Sequence, residues 1–322
     1  MIQGNGEGAI HRGGFVRSGI PLIFGLLAIA TTTPALAQGA AAPVVAPTAP
    51  SAANLNINPK RITFDRPGKS ATISVFNQGN VEGGFDVELI DRVMTPDGQI
   101  VPVTDAATKP EIKAIVDRLK SAKAMVVVTP RRIRVAANSG QAIRVRVAAT
   151  ADTPPGEYRT HLTVTGIPPA DIGLTAEDAA AQKEGQLSFR VNSVLGISIP
   201  VIVRVGPVDV RANIENMALR YENLSPDGRA APVRTAVLAF DLVRLGANSL
   251  FGDLEVRGAK ERGNGQPLGA VRGIGVYPEI DRRVVKIALQ RVPAAGERLD
   301  IQFRDDDTAP GAVLGKASLT TP

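Results

Sequence analysis

Few residues in this chain have side chains suited to catalysis or metal binding. Its 322 residues include no Cys and only two His, His11 and His161. Without Cys, thiol catalysis, disulfide bonds and cysteine-ligated metals are excluded. Because His11 lies in a segment that we predict to be removed, a metal site or a triad would depend on His161 alone. We expect His161 to be a solvated strand residue, and we predict neither a metal nor a cofactor.

Three short motifs have the residue types of a binding site but unsuitable surroundings. Gly263-Asn264-Gly265 and Gly273-Ile274-Gly275 are not followed by the helix that a phosphate-binding loop needs. Asp305-Asp306-Asp307 has the oxygen ligands of a hard cation, but neighbouring strand residues point to opposite sides, so we expect a solvated strand end. A Gly-x-Ser-x-Gly turn is also missing. We therefore predict that the protein is not an enzyme; a two-carboxylate glycan hydrolase lacks a convergent pair of acids.

Charge gives no clear indication of a polyanionic partner. There are 37 Lys and Arg against 31 Asp and Glu, a formal net charge of +6, and the basic residues are distributed among acids along the whole chain. A nucleic-acid-binding protein usually concentrates its cations in a patch or stripe. We predict no nucleic-acid partner and no small-molecule substrate.

The first 37 residues have the pattern of a cleavable secretory signal peptide. Arg12 and Arg17 precede an apolar run from Ile20 to Ala30, and Ala35-Leu36-Ala37 supplies a cleavage site. The apolar run is short for a membrane-spanning helix. We predict export to the periplasm.

Residues 38–53 are almost entirely Ala, Pro and Gly. Such a segment buries too little apolar surface to offset its ordering entropy, so we predict a disordered linker. The alternative is an uncleaved anchor followed by a stalk.

From residue 54 onward, the pattern indicates an all-β protein. Short segments with alternating apolar residues are separated by turn residues about every ten positions, which is typical of a β-sandwich. Gly206-Pro207 suggests a hinge, so we predict two immunoglobulin-like β-sandwich domains in tandem, 54–206 and 207–322. One helix is expected, from Lys109 to Ala122, with Thr108 as its N-cap.

The longest apolar strand pattern ends at the predicted hinge. Its alternate positions, all on one side, are Leu195, Ile197, Ile199, Val201 and Val203. Pro200 cannot donate to a strand ladder, so one side of this strand is expected at a sheet edge or bulge. Proteins normally protect long apolar edges, and one left open is suited to a partner.

Several of these segments together resemble the periplasmic pilus-assembly chaperones, of which this chain resembles a divergent member. The resemblance extends over residues 55–206 and is weaker from 207 to 322. The segments that carry it are Asn58–Phe64, Ser70–Asn77, Thr129–Ile133, Ser139–Val145, Pro155–Arg159, Gly166–Pro169 and Leu195–Arg204.

The resemblance implies two immunoglobulin-like domains in an L shape and a binding mode called strand donation. In that mode, the strand from Leu195 to Val203 would complete the fold of an unfinished subunit. The family also anchors the subunit's terminal carboxylate with an Arg in the first strand, which Arg61 matches, and a Lys in the last strand of the first domain. Ser198 and Pro200 stand near the expected Lys position. Arg190 and Arg204 are the alternatives for the second cation.

The sequence therefore predicts a periplasmic chaperone that caps pilus or other surface-structure subunits before assembly. Its partners would be pilin-like subunits, with an outer-membrane usher and a self-capped dimer as further hypotheses. The alternative is a tandem immunoglobulin-like structural or adhesion component of the cell envelope. The two differ in whether the strand from Leu195 to Val203 is an exchangeable donor or is permanently paired.

Overall fold

The computed structural model describes residues 54–66, 68–148, 152–168, 194–259 and 265–322, all within one compact unit, Ala49–Pro322. The predicted signal peptide and linker, residues 1–53, lie outside the described residues, and so does Arg190. What is described is almost entirely β-structure, which confirms the predicted fold class. Within the described part of the chain, no helix has the length and apolar character needed to cross a membrane.

Among the described residues, eleven strands precede Gly206. They are β1 (Leu55–Asn58), β2 (Ile62–Phe64), β3 (Ser70–Asn77), β4 (Gly83–Ile90), β5 (Arg92–Met94), β6 (Ile100–Pro102), β7 (Val126–Thr129), β8 (Arg132–Val135), β9 (Ser139–Val147), β10 (Gly156–Gly166) and β11 (Gly196–Val205).

Seven strands follow Gly206 in the part of the chain that the structure describes. They are β12 (Ala212–Leu224), β13 (Val233–Arg244), β14 (Leu250–Arg257), β15 (Gly269–Val276), β16 (Arg282–Ala288), β17 (Arg298–Asp305) and β18 (Val313–Thr320).

Two sheets form the first sandwich, in the orders β1-β3-β9-β7 and β2-β11-β10-β4-β8. Strand β9 shows why these residues form a half-buried sheet: Ile143 and Val145 are fully buried, whereas Arg144 and Arg146 are exposed. Such period-2 alternation places one face in the core and the other in water.

The second sandwich has sheets β12-β13-β16 and β15-β14-β17-β18 around its own apolar core. Gly206 has a positive φ of 86°, a conformation that glycine adopts without strain, and its position suits a change of direction between the sandwiches. The domain boundary after residue 206 stays a prediction, and no described strand of the first two sheets continues beyond Val205.

An insertion between β4 and β7 contains a β5–β6 hairpin and the helix α1 (Pro110–Val116). The predicted helix from Lys109 to Ala122 was therefore too long. Its N-cap is Lys109 rather than Thr108, with no side-chain cap bond, and Pro110 occupies the first turn. The chain leaves the helix after Val116 because residues 117–125 follow the surface of the first sandwich, where Ala122 is buried.

The same insertion contacts the second sandwich, so we call residues 92–119 the bridging insertion. Met94 belongs to the second core, and the amide of Val284 in β16 donates to the carbonyl of Pro96 at 2.8 Å. Further along, Arg118 forms an ion pair with Asp281 at 2.6 Å. These contacts give the two sandwiches an attachment in addition to the chain at Gly206.

Candidate functional site

Strand β11 has different neighbours along its two halves. On one side, β10 pairs antiparallel with its full length, from Gly196 to Val205. On the other side, β2 pairs in parallel with Val201–Val203 only. No described strand pairs with residues 196–200 on that side, which we call the free half; residues 201–205 are the paired half. The sheet edge expected from Pro200 is found where β2 begins.

Exposure of the five predicted donor side chains falls along the strand. Leu195 is 59% exposed and Ile197 is partly buried, whereas Ile199 is 2% exposed and Val201 and Val203 are fully buried. All except Leu195 contact the core of the first sandwich.

This gradient limits which side chains a partner can reach. Donating Ile199, Val201 or Val203 would empty positions in the protein's own core, and removing one such side chain typically costs about 1 to 5 kcal/mol. Leu195 and Ile197 are the predicted donor residues that remain accessible. The alternating pattern correctly places these side chains on one face of the strand. That face is exposed to solvent at Leu195 and buried in the core from Ile199 onward.

Arg61 lies immediately before β2, at the end of the free half. Its Nη2 donates to Asp307 Oδ2 at 2.9 Å and to Ser249 Oγ at 3.3 Å. The guanidinium carbon also lies 4.6 Å from the centre of the Phe251 ring, a cation–π contact with the second sandwich. Its Nε and Nη1 are buried and have no hydrogen-bond partner. Arg61 is therefore held by the second sandwich but keeps two unused donors.

Arg204 occupies the paired half and is almost fully buried. Its Nε donates to Glu157 Oε2 at 2.9 Å and its Nη2 donates to Asp307 Oδ2 at 2.6 Å. Burial alone would lower the pKa of Arg204, but the adjacent carboxylates of Glu157 and Asp307 raise it overall. Arg204 and Arg61 share one acceptor oxygen, and the four side chains together carry no net charge.

The acidic run at Asp305 was predicted to be a solvated strand end, and the structure corrects this. Asp305 is buried and its carboxylate accepts from the amides of Asp307, at 3.2 Å, and Thr308, at 3.0 Å. These bonds shape the turn after β17. The turn then presents Asp307 to both arginines.

His161 was predicted to be solvated, but it is only 2% exposed. It lies opposite Pro200 in the β10–β11 pairing. Burial is the main cause that lowers the pKa of His161 to about 2, with contributions from Arg159 and Arg92. The imidazole is therefore neutral at physiological pH.

The wrong prediction for His161 has a simple physical reason. Both faces of β10 are covered: Leu162 and Val164 face the first core, while Arg159 on the opposite face pairs with Glu279 of the second sandwich. Arg159 also stacks on Tyr277, with 3.9 Å between the guanidinium carbon and the ring centre. The alternation of β10 indicates two faces but not what covers each of them.

The functional residues that sequence reasoning missed are Glu157 and Asp307. Glu157 is the direct cross-strand partner of Arg204, so a correct register for β10 and β11 would have placed the pair together. Asp307 is 246 residues from Arg61, and no local pattern connects them.

This arrangement is suited to binding an extended chain rather than to catalysis. It offers unpaired main-chain groups along 196–200, two accessible apolar side chains and a guanidinium near the end of the edge. Within the described ranges, no group of three or more acidic or His side chains is placed to hold a metal ion.

Comparisons with known proteins give similarity at the level of structure. No family model matches the chain, and no curated protein matches it by sequence. Among solved structures, it is similar to the YadV chaperone, at 14% identity and a TM-score of 0.40, over 82% of this chain and 99% of that one.

Two further solved structures are similar over nearly their whole length. The E. coli chaperone DraB is 14% identical over 84% of this chain and 97% of its own, with a TM-score of 0.37. The CsuC–CsuE chaperone–tip adhesion subunit pre-assembly complex from the archaic chaperone-usher Csu pili of Acinetobacter baumannii matches at 11% identity, over 84% of this chain and 100% of that one, with a TM-score of 0.39.

Proposed function

We propose that this protein is a periplasmic chaperone that binds an unfinished surface-structure subunit along the free half of β11. The observation that carries the proposal is the difference in pairing, because β2 covers Val201–Val203 and leaves residues 196–200 unpaired on that side among the described residues. An added strand there would take the backbone bonds of the edge. Leu195 and Ile197 would contribute apolar contacts.

The position of Arg61 supports a terminal carboxylate as the end of the bound strand. A strand added beside residues 196–200 lies in line with β2 and meets the residue that precedes Ile62. Arg61 has two donors without a partner, Nε and Nη1, which are buried in the free protein and would have to become exposed when a carboxylate binds; a charged hydrogen bond typically contributes about 1.5 to 3 kcal/mol. The carboxylate itself is the ligand implied by the resemblance to pilus chaperones.

A second cation for that carboxylate is not supplied by Arg204. Its guanidinium is bound to Glu157 and Asp307, and removing it would leave both carboxylates buried without their partner. Of the two alternatives, Arg190 lies outside the described residues. We propose Arg61 as the main anchor.

The expected affinity is moderate. Burying Leu195 contributes roughly 1.5 to 3 kcal/mol, and Ile197, which is already partly buried, contributes less. Association and ordering of the strand have costs of a similar or larger size. Main-chain hydrogen bonds therefore have to supply the rest of the favourable binding free energy. Because the net gain is small, we expect a complex that can release its subunit.

Co-purification tests this proposal. Wild-type protein and Leu195→Asp are recovered from the periplasm of expressing cells, and bound proteins are identified by mass spectrometry. Ile199→Asp is unsuitable because Ile199 belongs to the core. The wild type should retain a small β-rich subunit at about one to one, with more than about tenfold loss in Leu195→Asp, since a buried unpaired charge costs at least ~1.4 kcal/mol.

Val292→Asp provides the matched control, because Val292 is also an exposed apolar residue but belongs to the second sandwich. It should retain the subunit. Equal retention by wild type and Leu195→Asp would rule out binding at the free half, as would a wild type that carries no subunit.

The structural-component alternative keeps one supporting observation, the pairing of Val201–Val203 on both sides. The two functions differ in whether a bound subunit exchanges with free subunit in solution. A chaperone should release a labelled subunit when excess unlabelled subunit is added, whereas a structural joint should retain it.

An outer-membrane usher and a self-capped dimer remain further proposals. Light scattering that detects only monomer at high micromolar concentration would contradict the dimer.

A further inference from the structure

The outer face of the sheet β1-β3-β9-β7 carries cations but no acids. None of its four strands contains Asp or Glu. Arg144 and Arg146 of β9 are both exposed on this face, about 6 to 7 Å apart along the strand. We call this surface the cationic face; besides the two arginines, its outward side chains used below are Ser70, Thr72, Phe76, Val127 and Thr129.

Strand register surrounds the two arginines with hydroxyl groups. Arg144 lies between Thr72 of β3 and Thr129 of β7, and Arg146 lies directly opposite Ser70 of β3. All five side chains belong to the solvent side of the sheet, because the residues that alternate with them in each strand are turned toward the core. The cationic face therefore presents two guanidinium groups and three hydroxyl donors to the same side.

The two arginines have no internal partner, unlike a similar pair nearby. Neither has a hydrogen bond or an ion pair among the residues that the structure describes. Strand β8 has the same Arg-x-Arg pattern, but its Arg132 pairs with Asp86 at 2.7 Å and its Arg134 lies 3.9 Å from Glu82. Cations and acids are mixed along the chain, yet folding separates them on the cationic face. Its uncompensated charge favours an external anion.

Two exposed apolar side chains share this face with the arginines. Val127 lies directly opposite Arg146 and is 42% exposed. The ring of Phe76 lies over Gly140, since a Cβ added there would be 2.8 Å from a ring carbon, and it is 44% exposed. Residues 140–146 of β9 span about 20 Å, so the two apolar side chains lie toward opposite ends of the face. Basic and apolar side chains on one surface are typical of proteins that lie on a membrane.

We propose that the cationic face binds the surface of a bilayer that contains anionic phospholipid. Arg144 and Arg146 would donate charged hydrogen bonds to headgroup phosphates, and the flanking hydroxyls would donate to the same oxygens. Phe76 and Val127 favour a bilayer over a free anion or an acidic protein segment, because only a bilayer offers an apolar layer beneath its charges. The proposal is independent of subunit binding, since β11 belongs to the other sheet of the first sandwich.

Vesicle sedimentation tests this proposal with protein purified from the periplasm of expressing cells. One set of vesicles is pure phosphatidylcholine, and the other contains equal parts of phosphatidylcholine and phosphatidylglycerol. The wild type should bind the mixed vesicles and not the neutral ones, and added NaCl should weaken binding because salt screens exposed charges. Arg144→Gln/Arg146→Gln should bind the mixed vesicles about 30-fold more weakly, at about fivefold for each basic residue near an anionic surface.

The matched control is Arg132→Gln/Arg134→Gln, which makes the same change in net charge on β8. It should bind the mixed vesicles like the wild type. Two competitors, inorganic phosphate and polyglutamate, are added at an anion concentration equal to that of the lipid phosphate, and neither should displace the wild type. Equal losses in the two double variants, equal binding to both kinds of vesicle, absence of binding, or displacement by either competitor would overturn the proposal.

Discussion

The two halves of β11 have apolar side chains on the same face but different surroundings. Apolar side chains alternate through both, yet Leu195 in front of the free half is 59% exposed whereas Val201 in the paired half is fully buried. The edge differs as well, because β2 pairs only with Val201–Val203 and leaves the free half unpaired on that side among the described residues. A single strand can thus be part of a domain's core at one end and have an unpaired edge at the other.

The opposite face of β11 also differs between the paired half and the free half. In the paired half, Ile202 enters the second core and Arg204 joins two carboxylates. In the free half, Ser198 makes one hydroxyl contact, 2.8 Å from Thr163 Oγ1. Stability should therefore depend on one half and recognition on the other.

The largest effect is expected from a charge in the paired half. Val201→Asp should destabilise the fold by more than about 4 kcal/mol, because it buries an unpaired carboxylate among apolar side chains. Leu195→Asp should change the free energy of unfolding by no more than about 0.5 kcal/mol. Urea denaturation followed by circular dichroism measures both. A wild-type midpoint for Val201→Asp would show that the paired half is not part of the core.

A smaller effect is expected on the face that contacts the second sandwich. Arg204→Met should cost about 3 to 5 kcal/mol, because it leaves the buried Glu157 carboxylate without its cation. Ser198→Ala loses a single hydroxyl contact, worth about 1 kcal/mol. Comparison of the two urea midpoints tests the difference. Equal losses would mean that the two halves contribute equally to stability.

The smallest effect concerns pH and the residue at the boundary between the halves. His161 lies opposite Pro200, and its folded-state pKa of about 2 is below the ordinary value of 6.5. The unfolded chain therefore binds a proton that the folded protein does not. The stabilising contribution is complete above pH 6.5 and decreases as pH falls toward the folded-state pKa, by about 1.4 kcal/mol per unit once well below 6.5.

Urea midpoints at pH 7.5, 6.5 and 5.5 test this dependence. The wild type should lose about 1 kcal/mol between pH 6.5 and 5.5. His161→Gln removes the titrating group and should have a flatter profile. If the two profiles are parallel, another group is responsible for the pH dependence.

The sequence predicted the fold well wherever one face of a strand meets water. In β9, the alternation of Ile143 and Arg144 gives the element, its orientation and its exposed face. The prediction failed where another part of the protein covers the second face of a strand, as at His161 in β10. Alternation with a period of two shows that a strand has two faces but not what packs on each of them. The predicted helix was too long because packing ends it after Val116.

The candidate site was only partly predictable for a related reason. Arg61 and the strand from Leu195 were identified from local pattern and resemblance, and their role in binding stays a prediction. Which part of the strand edge is unpaired depends on where β2 begins, and that is a matter of pairing between distant segments. The contact of Arg61 with Asp307 joins the two sandwiches and has no signature in either local sequence.

The bridging insertion has a mechanical consequence. A single covalent link at Gly206 would leave the two sandwiches free to rotate. The contacts of Met94, Pro96 and Arg118 prevent this together with the ion pairs that Arg61, Arg159 and Arg204 form with the second sandwich. Rotational freedom lost during folding is not lost again when another molecule associates. The insertion and these ion pairs thus set the orientation of the free half relative to the second sandwich during folding, before any partner associates.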